Sequence, residues 1–383
     1  MDTVQDILIK FYPDYSNRYT PSCQQVKVVS QIMNCKTLAL GGHVLKCDQC
    51  GHLKIFYNSC RNRHCPLCQG VNNAIWVDKR MQDVLDAPYF HLVFTMPSEL
   101  HIPIYQNQKL LYGLMYKCVA ETISELSSDP KYLGATPGFF SVLHTWGQDL
   151  HFHPHIHVVL LAGGLNELNQ WQNSSKKFFI PVKVLAKKFR GKFLYYLKDY
   201  YKKDLIRFYG EAAKYYNARI FWKLVNKCYD KNWYTYTKKT FNGPIAVLRY
   251  LGRYTHKIAI SNSRILDVDD NSVTIAVKDY KEQSKDKILN LPGVEFVRRF
   301  LLHVLPKGFV KIRYYGLLAN RNKKAKLEIC RKLINSFLYK SRFKGLTKLE
   351  IICILVGKDI TTCPVCKVGK LKTSISFHAG AAP

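Results

Sequence analysis

The pattern of hydrophobic and polar positions predicts alternating strands and helices. YFHLVFTMP, residues 89–97, is an apolar strand-like run ended by proline, and residues 107–126 place apolar side chains at helical spacing. Residues 138–146 and 153–164, separated by the turn-like GQD, predict a β-hairpin whose second strand is buried on both faces beyond His157. These elements predict an α+β fold with a central antiparallel sheet and packed helices.

The sequence divides into three predicted regions. Residues 1–85 are dense in cysteine, and residues 86–280 contain the predicted hairpin and its helices. This second region includes an insertion at about 172–240, and residues 281–383 form a basic C-terminal region that ends with a CxxC pair. We expect the first region to be a zinc-ribbon-like module and the second to contain the chemistry.

Composition narrows the possible partners. The 383 residues include 58 Lys and Arg against 27 Asp and Glu, a formal net charge of +31. Such a charge requires a polyanionic partner, and we expect nucleic acid rather than an acidic membrane surface. No apolar run has the length of a bilayer-spanning helix, and the N-terminus lacks the order of a secretion signal. We therefore expect a cytoplasmic protein, and without a phosphate-binding loop motif we expect no use of ATP.

The cysteine spacing predicts a structural zinc site. Thirteen cysteines in a reducing compartment favour metal binding over disulfides, and two CxxC pairs flank a predicted β-hairpin that can bring them together. Cys60 and His64 are additional donors nearby. The alternative is a set of free thiols. The four residues expected to bind one zinc ion are Cys47, Cys50, Cys65 and Cys68.

A third CxxC pair lies close to the C-terminus. Cys363 and Cys366 are separated by two residues, but no second CxxC pair accompanies them in that region. Cys330 and Cys353 could complete a zinc site there, or the pair could be unmetallated. The sequence does not decide between these possibilities.

Two basic segments are candidate nucleic-acid contacts. Arg61 and Arg63, in the loop sequence CRNRH, are predicted to contact phosphate, although a solvated loop would have the same composition. The insertion at 172–240 interleaves basic residues with tyrosines, as well as Trp222 and Trp233, a composition that suits single-stranded nucleic acid. Alternatively, its tyrosines fill the interior of a helical subdomain.

Five histidines lie between residues 144 and 157. Alternation along a strand places His155 and His157 on the same face, where two imidazoles can share one metal ion. A hairpin turn near Asp149 would set His144 opposite His155 as a third ligand, leaving coordination positions open for substrate. The alternative is a set of histidines that cap a polar strand edge. A His-x-His-x-Asp hydrolase would need a carboxylate, but the following residues are Val158, Val159 and Leu160.

Residues 242–256 predict a helix that carries two tyrosines one turn apart. Tyr250 and Tyr254 are spaced i, i+4 and therefore share a face. Beside cations and a metal-polarised phosphate, a phenol can be a nucleophile for phosphodiester transfer. Packing on an amphipathic helix is the alternative role. The nearby cations, which we expect to contact DNA, are Arg249, Arg253 and Lys257.

Four motifs occur in order along the chain: SCRNRHCPLCQG, HPHIHVV, YLGRYTHKIAIS and RYYGLLANRN. Together they resemble signatures of the rolling-circle transposases of the HUH nuclease superfamily, specifically the two-tyrosine insertion-sequence family ninety-one, over nearly the whole chain. His155 and His157 match the HUH pair, and Tyr250 and Tyr254 match the tyrosine pair. The third ligand, His144, rests on spacing alone.

The resemblance implies a bacterial, DNA-associated endonuclease and strand transferase that acts on single-stranded DNA through 5′-phosphotyrosine intermediates. It implies an HUH nuclease core with catalytic Mg²⁺ or Mn²⁺ and an N-terminal region with structural Zn²⁺. A plasmid relaxase or a replication initiator would use the same chemistry. A non-enzymatic zinc-dependent DNA-binding protein would keep the cysteines and the charge without cutting DNA.

Overall fold

The computed structural model describes residues 2–174, 180–239, 259–279 and 285–378. Within those ranges the helices are α1 (Val4–Arg18), α2 (Cys23–Met33), α3 (Gln69–Met81), α4 (His101–Gln106), α5 (Gln108–Ser128), α6 (Val182–Lys202), α7 (Ala218–Asp230), α8 (Gly293–Leu301), α9 (Lys323–Ile334) and α10 (Lys348–Val356). The short 3₁₀ helices are Leu38–Leu40, Ser98–Leu100, Gly210–Tyr216 and Asn262–Arg264.

The strands in the same ranges are β1 (Gly42–Cys47), β2 (Leu53–Tyr57), β3 (Tyr89–Thr95), β4 (Thr136–Trp146), β5 (Phe152–Leu165), β6 (Trp171–Asn173), β7 (Thr235–Lys239), β8 (Ile265–Val268), β9 (Ser272–Asp279), β10 (Lys285–Pro292), β11 (Ile312–Gly316) and β12 (Leu371–Phe377). The predicted strand at 89–97, the helix at 107–126 and the hairpin are all present as β3, α5 and β4–β5.

The strands form three antiparallel sheets. The central sheet has the order β11-β4-β5-β3-β7, with β6 also paired to β5. A small sheet of order β12-β1-β2 joins the two ends of the chain, and a third sheet has the order β10-β9-β8. The predicted mixture of helices with a central antiparallel sheet is therefore confirmed.

The central sheet is packed on both faces, as the apolar second half of β5 predicts. Ile156, Val158 and Leu160 point to the face covered by α5 and α6, in the largest hydrophobic core. The alternate positions Val159 and Leu161 point to the other face and pack with residues of α3 and α9. Because side chains alternate along a strand, His155 and His157 lie on this second face, near the beginning of β5.

The insertion folds as helices that pack on the central sheet. The rings of Tyr201 and Phe221 stack with centroids 3.7 Å apart, and buried Trp233 donates its indole N–H to the Cys228 carbonyl at 2.8 Å. Those aromatic residues therefore serve packing, the alternative that the sequence left open. Other aromatic side chains of the insertion are exposed, namely Tyr195, Tyr209, Tyr216, Tyr229, Tyr234 and Tyr236.

A second hydrophobic core joins the N-terminal helices to a later part of the chain. Helix α1 packs against α8, and both contribute to this core together with α2 and the sheet β10-β9-β8. A side chain on Gly293, at the start of α8, would overlap the Phe11 ring, so the close approach of the two helices requires glycine there. This core draws residues from both sides of the predicted boundaries at 85 and 281.

Among the described residues, we find no helix with both the length and the apolar character needed to cross a bilayer.

Candidate active site and cysteine clusters

Three histidines converge at the turn end of the β4–β5 hairpin, near the end of β4 and the beginning of β5. The antiparallel register places His144 directly opposite His155, the pairing that the sequence predicted. One ring nitrogen from each of His144, His155 and His157 lies within 4.8 Å of the others. The Nε2 atoms of His155 and His157 are 3.1 Å apart. Three imidazole nitrogens at this separation form a compact donor set that one metal ion could bridge.

Neighbouring groups fix the orientation of the two β5 histidines. His155 donates from Nδ1 to the His153 carbonyl oxygen at 2.7 Å, which leaves Nε2 to face the cluster. Burial lowers the pKa of His155 to about 3, so its ring is neutral at physiological pH. Nδ1 of His157 lies 2.9 Å from Nε2 of His91 on β3. A hydrogen bond to the outer nitrogen of a ligating histidine is the usual way to set its tautomer and direction.

His91 is a site residue that the sequence analysis missed. It is 8% exposed, and burial lowers its pKa to about 4. Its ring stacks on that of His157 at a centroid distance of 5.2 Å. The available signal was one polar residue inside the otherwise apolar run of β3. A single polar residue does not predict which side chain it contacts, and here the contact is with His157, 66 residues away.

The remaining histidines of the run lie outside the cluster. His151 is exposed, and its Nδ1 lies 2.7 Å from the Asp149 carboxylate in the hairpin turn. His153 projects beside His101, with ring centroids 5.7 Å apart.

Buried groups hold the hairpin behind the cluster. The Trp146 ring stacks on that of His144 with centroids 4.6 Å apart. His303 donates from Nε2 to the Leu150 carbonyl at 3.0 Å and accepts from the Thr145 hydroxyl at Nδ1, 3.1 Å away. Burial lowers the pKa of His303 to about 4, which keeps it in this neutral form. The turn of the hairpin is therefore bonded to the segment that follows α8.

The predicted tyrosine helix lies outside the described residues. That segment, residues 240–258, includes Tyr250 and Tyr254 together with the cations Arg249, Arg253 and Lys257. Their proximity to the histidines stays a prediction.

Eight of the thirteen cysteines form two clusters rather than one, so the predicted four-ligand set is wrong. Within each cluster the sulfur atoms lie within 4.8 Å of one another. Cluster one contains Cys35, Cys60, Cys65 and Cys68. Cluster two contains Cys47, Cys50, Cys363 and Cys366.

The geometry of the β1–β2 hairpin explains the separation. Cys47 ends β1, and Cys50 lies in the turn at the tip of the hairpin. Cys60 and the residues after it follow the other end of β2, whose five residues span about 16 Å. The hairpin therefore separates the two CxxC pairs instead of joining them.

Residues from distant parts of the chain complete each cluster. Cys35, just after α2, lies 3.4 Å from Cys68 between the sulfur atoms, and Cys60 lies 3.6 Å from Cys68. In cluster two, the sulfurs of Cys47 and Cys366 are 3.6 Å apart, and those of Cys50 and Cys363 are 3.7 Å apart.

The other donors considered from the sequence take no part in the clusters. Cys330 is buried in the third hydrophobic core, and Cys353 lies on α10, so neither accompanies the C-terminal CxxC pair. His64 instead accepts a hydrogen bond from the Leu305 backbone N–H at 3.4 Å.

The loop between Cys60 and Cys65 borders a pocket of about 620 Å³. Arg61 adopts a left-handed backbone conformation, with φ of 53°, and is exposed. Arg63 donates from Nη1 to the Phe309 carbonyl at 2.7 Å. Both arginines line the pocket together with Lys311, whose pKa is lowered by burial to about 7. The predicted basic loop therefore faces a cavity rather than open solvent alone.

Comparison with known proteins identifies two matching families. The family described as "Putative transposase" matches residues 138–326, which include the histidine cluster. The family described as "Transposase zinc-binding domain" matches residues 7–96, which include cluster one and half of cluster two.

Two curated proteins are similar to most of the chain. The "Putative transposase y4qJ" of Sinorhizobium fredii (strain NBRC 101917 / NGR234) is 40% identical over 393 residues, covering 99% of this chain and 96% of that protein. The "Transposase for insertion sequence element IS801" of Pseudomonas savastanoi pv. phaseolicola is 29% identical over 304 residues, covering 78% of this chain and 71% of that protein. No solved structure matches the chain significantly. The chain belongs to the IS91-type transposases, the insertion-sequence family ninety-one, and has the zinc-binding region of that family near its N-terminus.

Proposed function

We propose that this transposase is an HUH-type, metal-dependent endonuclease and strand transferase that cuts and rejoins single-stranded DNA in rolling-circle transposition. The observation that carries the proposal is the convergence of His144, His155 and His157 on one face of the central sheet. The net charge of +31 supports a polyanionic substrate. The similarity to transposases over nearly the whole chain supports DNA as that substrate.

The donor set of the cluster fits a divalent cation. Burial keeps His155 neutral, and its Nδ1–H is already bonded to a carbonyl, so Nε2 is the atom directed at the cluster. When bound, the cation would act as a Lewis acid on a phosphate oxygen and orient the scissile group. Because Mg²⁺ prefers oxygen ligands, we expect Mn²⁺ to support the reaction at a lower concentration than Mg²⁺.

Tyr250 and Tyr254 supply the nucleophiles in this proposal. The phenolic oxygen attacks phosphorus, a bond from tyrosine oxygen to phosphorus forms, and the bond from phosphorus to the 3′ oxygen breaks. The phenol gives up its proton to solvent as it attacks, and the released oxygen takes up a proton to become a 3′-hydroxyl, while the 5′ phosphate stays on the tyrosine. Since one phosphodiester replaces another, a later attack by a 3′-hydroxyl can rejoin the strand without ATP.

Basic residues around the site would bind the DNA backbone. We assign phosphate contacts to Arg61 and Arg63 on the loop of cluster one, and to the cations of the tyrosine segment, which are Arg249, Arg253 and Lys257. A structural zinc ion in cluster one would hold that loop in position, since all four of its cysteines lie within residues 7–96. These contacts concern positioning and do not select a sequence.

The test is formation of a covalent adduct with labelled single-stranded DNA from the flanks of the gene, scored on denaturing gels. We expect an adduct that disappears with chelator and returns with Mn²⁺ or Mg²⁺. His157→Ala should form none while still binding DNA. His151→Ala is the matched control, because it lies in the same histidine run but outside the cluster, and should react like the wild type. Equal reaction of both variants would refute the metal assignment.

The tyrosines are tested by removing one oxygen at a time. Tyr250→Phe and Tyr254→Phe should each leave one nucleophile and so permit some adduct or fail only in completing strand transfer. The double variant should form no adduct. If the tyrosines only pack a helix face, each change costs at most about 1 kcal/mol and cutting survives. Mass spectrometry of the DNA-linked peptide identifies the attached residue.

Two other activities would give different results. A plasmid relaxase or replication initiator would form the same adduct but would not join element ends to a second DNA molecule. A zinc-dependent DNA-binding protein without enzymatic activity would bind the labelled strand and form no adduct under any metal condition.

A further inference from the structure

We propose that cluster two is a second zinc site, built from both ends of the chain, in which Cys47 and Cys50 are completed by Cys363 and Cys366. The matched zinc-binding family ends at residue 96, so it includes only half of these ligands. The other half lies more than 300 residues later in the sequence.

The sulfur geometry fits a tetrahedral thiolate site. A zinc–sulfur distance of about 2.3 Å places neighbouring sulfurs of a tetrahedron about 3.8 Å apart. The sulfur atoms of Cys47 and Cys366 are 3.6 Å apart, and those of Cys50 and Cys363 are 3.7 Å apart. A disulfide would require about 2.05 Å. Both separations match neighbouring thiolates around one ion, and all four sulfurs lie within 4.8 Å of one another.

The backbone around the sulfurs is arranged as two matching knuckles. The Gln49 N–H points to the Cys47 sulfur at 3.5 Å, and the Gly369 N–H points to the Cys366 sulfur at 3.3 Å. Such N–H groups stabilise negative sulfur. β1 and β12 pair in antiparallel register from Gly42 opposite Phe377 to Cys47 opposite Leu371, which brings the two knuckles to the same end of the small sheet.

Among the described residues, the small sheet has only a small hydrophobic core. The buried cluster beside the sulfurs contains Cys47, Cys363 and Leu371, and Val44 and Phe377 are the other buried apolar side chains of the described strands. All five residues of β2 are exposed. Small modules without a core usually depend on a metal ion or disulfides. Four convergent cysteines in place of a core therefore indicate a metal-stabilised module that closes only when the C-terminal segment returns to β1.

The test is the zinc content of the whole purified chain. We expect two zinc ions per chain in the wild type and one in the Cys363→Ser, Cys366→Ser double variant. Cys23→Ser and Cys353→Ser are matched controls, since neither residue belongs to a cluster, and should keep two ions. One ion in the wild type, or two in the double variant, would overturn the proposal.

A second measurement does not depend on the folding of a variant. Cys50 and Cys23 are both exposed, so without metal both should react rapidly with an alkylating reagent. In the zinc-containing wild type, we expect Cys50, Cys363 and Cys366 to be protected and Cys23 to react; chelation should remove the protection. Alkylation of Cys50 as fast as Cys23 before chelation would also overturn the proposal.

A separate observation concerns the pocket beside the histidines, and this inference rests on the proposed function. We infer that the pocket holds one unpaired nucleotide of the DNA strand, with its base against the aromatic lining and its phosphate on Arg61, Arg63 and Lys311. The volume of about 620 Å³ is sufficient for one nucleotide. None of the described residues that line the pocket is acidic.

The walls of the pocket combine the two features that single strands require. Trp76, Trp146 and Tyr314 contribute aromatic surface, and the basic side chains of Arg61, Arg63 and Lys311 contribute donors for the phosphate. Unpaired bases stack on such rings while cations follow the backbone. The Lys311 ammonium lies 5.0 Å from the Trp146 ring centroid, so charge and aromatic surface are adjacent.

The pocket lies next to the histidine cluster. The Trp146 ring contacts the pocket and also stacks on His144 at 4.6 Å. Ala259, which follows the tyrosine segment directly in sequence, lines the same pocket. A nucleotide bound there would lie next to the histidine cluster and could position the neighbouring phosphate for attack.

Binding of a twelve-residue oligothymidine, measured by fluorescence anisotropy with the whole protein, tests this inference. Trp76→Leu and Lys311→Met keep apolar bulk and should each weaken binding about tenfold, the effect of losing one stacked base or phosphate contact. Trp171→Leu, outside the pocket, is the control and should bind like the wild type. Melting temperatures confirm that the variants fold.

Adduct formation and DNA binding separate the nucleotide site from the proposed chemistry. If wild-type protein forms the covalent adduct but both pocket variants bind DNA normally, the nucleotide site is refuted and the enzymatic proposal remains. If the variants weaken binding but no adduct forms with any DNA, the pocket remains and the proposed chemistry is refuted.

Discussion

Each of the two clusters contains four cysteines, but the surroundings of the two clusters are very different. In cluster one, Cys35 and Cys65 are buried in the second hydrophobic core, beside the packed helices α1, α2 and α8. In cluster two, Cys47 and Cys363 are buried with little more than Leu371. Two sites with the same donors can therefore contribute differently to the free energy of unfolding, because a metal ion can reinforce a hydrophobic core or take its place. Substitution of single cysteines and partial removal of metal test that distinction.

The largest effect is expected from breaking cluster one. Cys65→Ser should unfold the second core together with α1 and α2, because Cys65 is fully buried there and its replacement leaves a polar hydroxyl beside three thiols. Structural zinc contributes roughly 10–16 kcal/mol in small domains, whereas whole proteins are stable by about 5–15 kcal/mol. Loss of helical circular dichroism and of the main thermal transition would be the measurement.

The matched comparison is Cys50→Ser in cluster two, where the side chain is exposed and no large core surrounds it. That variant should keep the main thermal transition. If both variants lower the melting temperature equally, the different surroundings of the two clusters do not affect the stability of the protein.

A smaller, local effect is expected from partial metal removal. A chelator added in limiting amount should empty cluster two first, since Cys50 is exposed while cluster one lies against the second core. Hydrogen exchange should then accelerate in β1, β2 and β12 but not in α1 or α8. Mass spectrometry of the exchanged peptides gives the order directly. Simultaneous loss of protection in both regions would show that the clusters are one cooperative unit.

The difference between the clusters also explains what the sequence could predict. Two CxxC pairs at close spacing correctly indicated zinc-binding chemistry near the N-terminus, the region matched by the transposase zinc-binding domain. Their grouping was wrong, because sequence spacing does not reveal that a five-residue strand separates Cys50 from Cys65. Cys35 gave no signal, since a lone cysteine after a helix has no characteristic spacing.

The histidine site was more accessible to sequence reasoning. His144, His155 and His157 belong to one hairpin, and strand alternation with a central turn determines which side chains meet. Local geometry is readable from local sequence, whereas His91 approaches from β3, in a different part of the chain. For the same reason, the C-terminal CxxC pair could not be assigned to Cys47 and Cys50 without the fold.

A moderate effect is expected from a methyl group placed in cluster two. A Cβ at position 369 would overlap the Cys47 sulfur and contact Gln49, so Gly369→Ala should displace one ligand and speed the release of one zinc ion. The measurement is release to a colorimetric chelator over time. Gly191→Ala in α6 is the control, because nothing lies within 4 Å of the added atom, and both ions should be released as in the wild type.

The smallest effect is expected from the charge of Asp48, beside cluster two. Its carboxylate accepts from the Lys370 backbone N–H at 2.8 Å and pairs with the Lys372 ammonium at 3.1 Å, and these groups lower the pKa of Asp48. Asp48→Asn keeps an oxygen for the backbone N–H but removes the ion pair. Exposed ion pairs contribute little because water and salt screen them, so zinc release should change by less than about twofold. The change should shrink further in high salt. A large acceleration would mean that strand pairing between the chain ends, rather than the metal, holds the small sheet together, and the contrast between the two clusters would then need another cause.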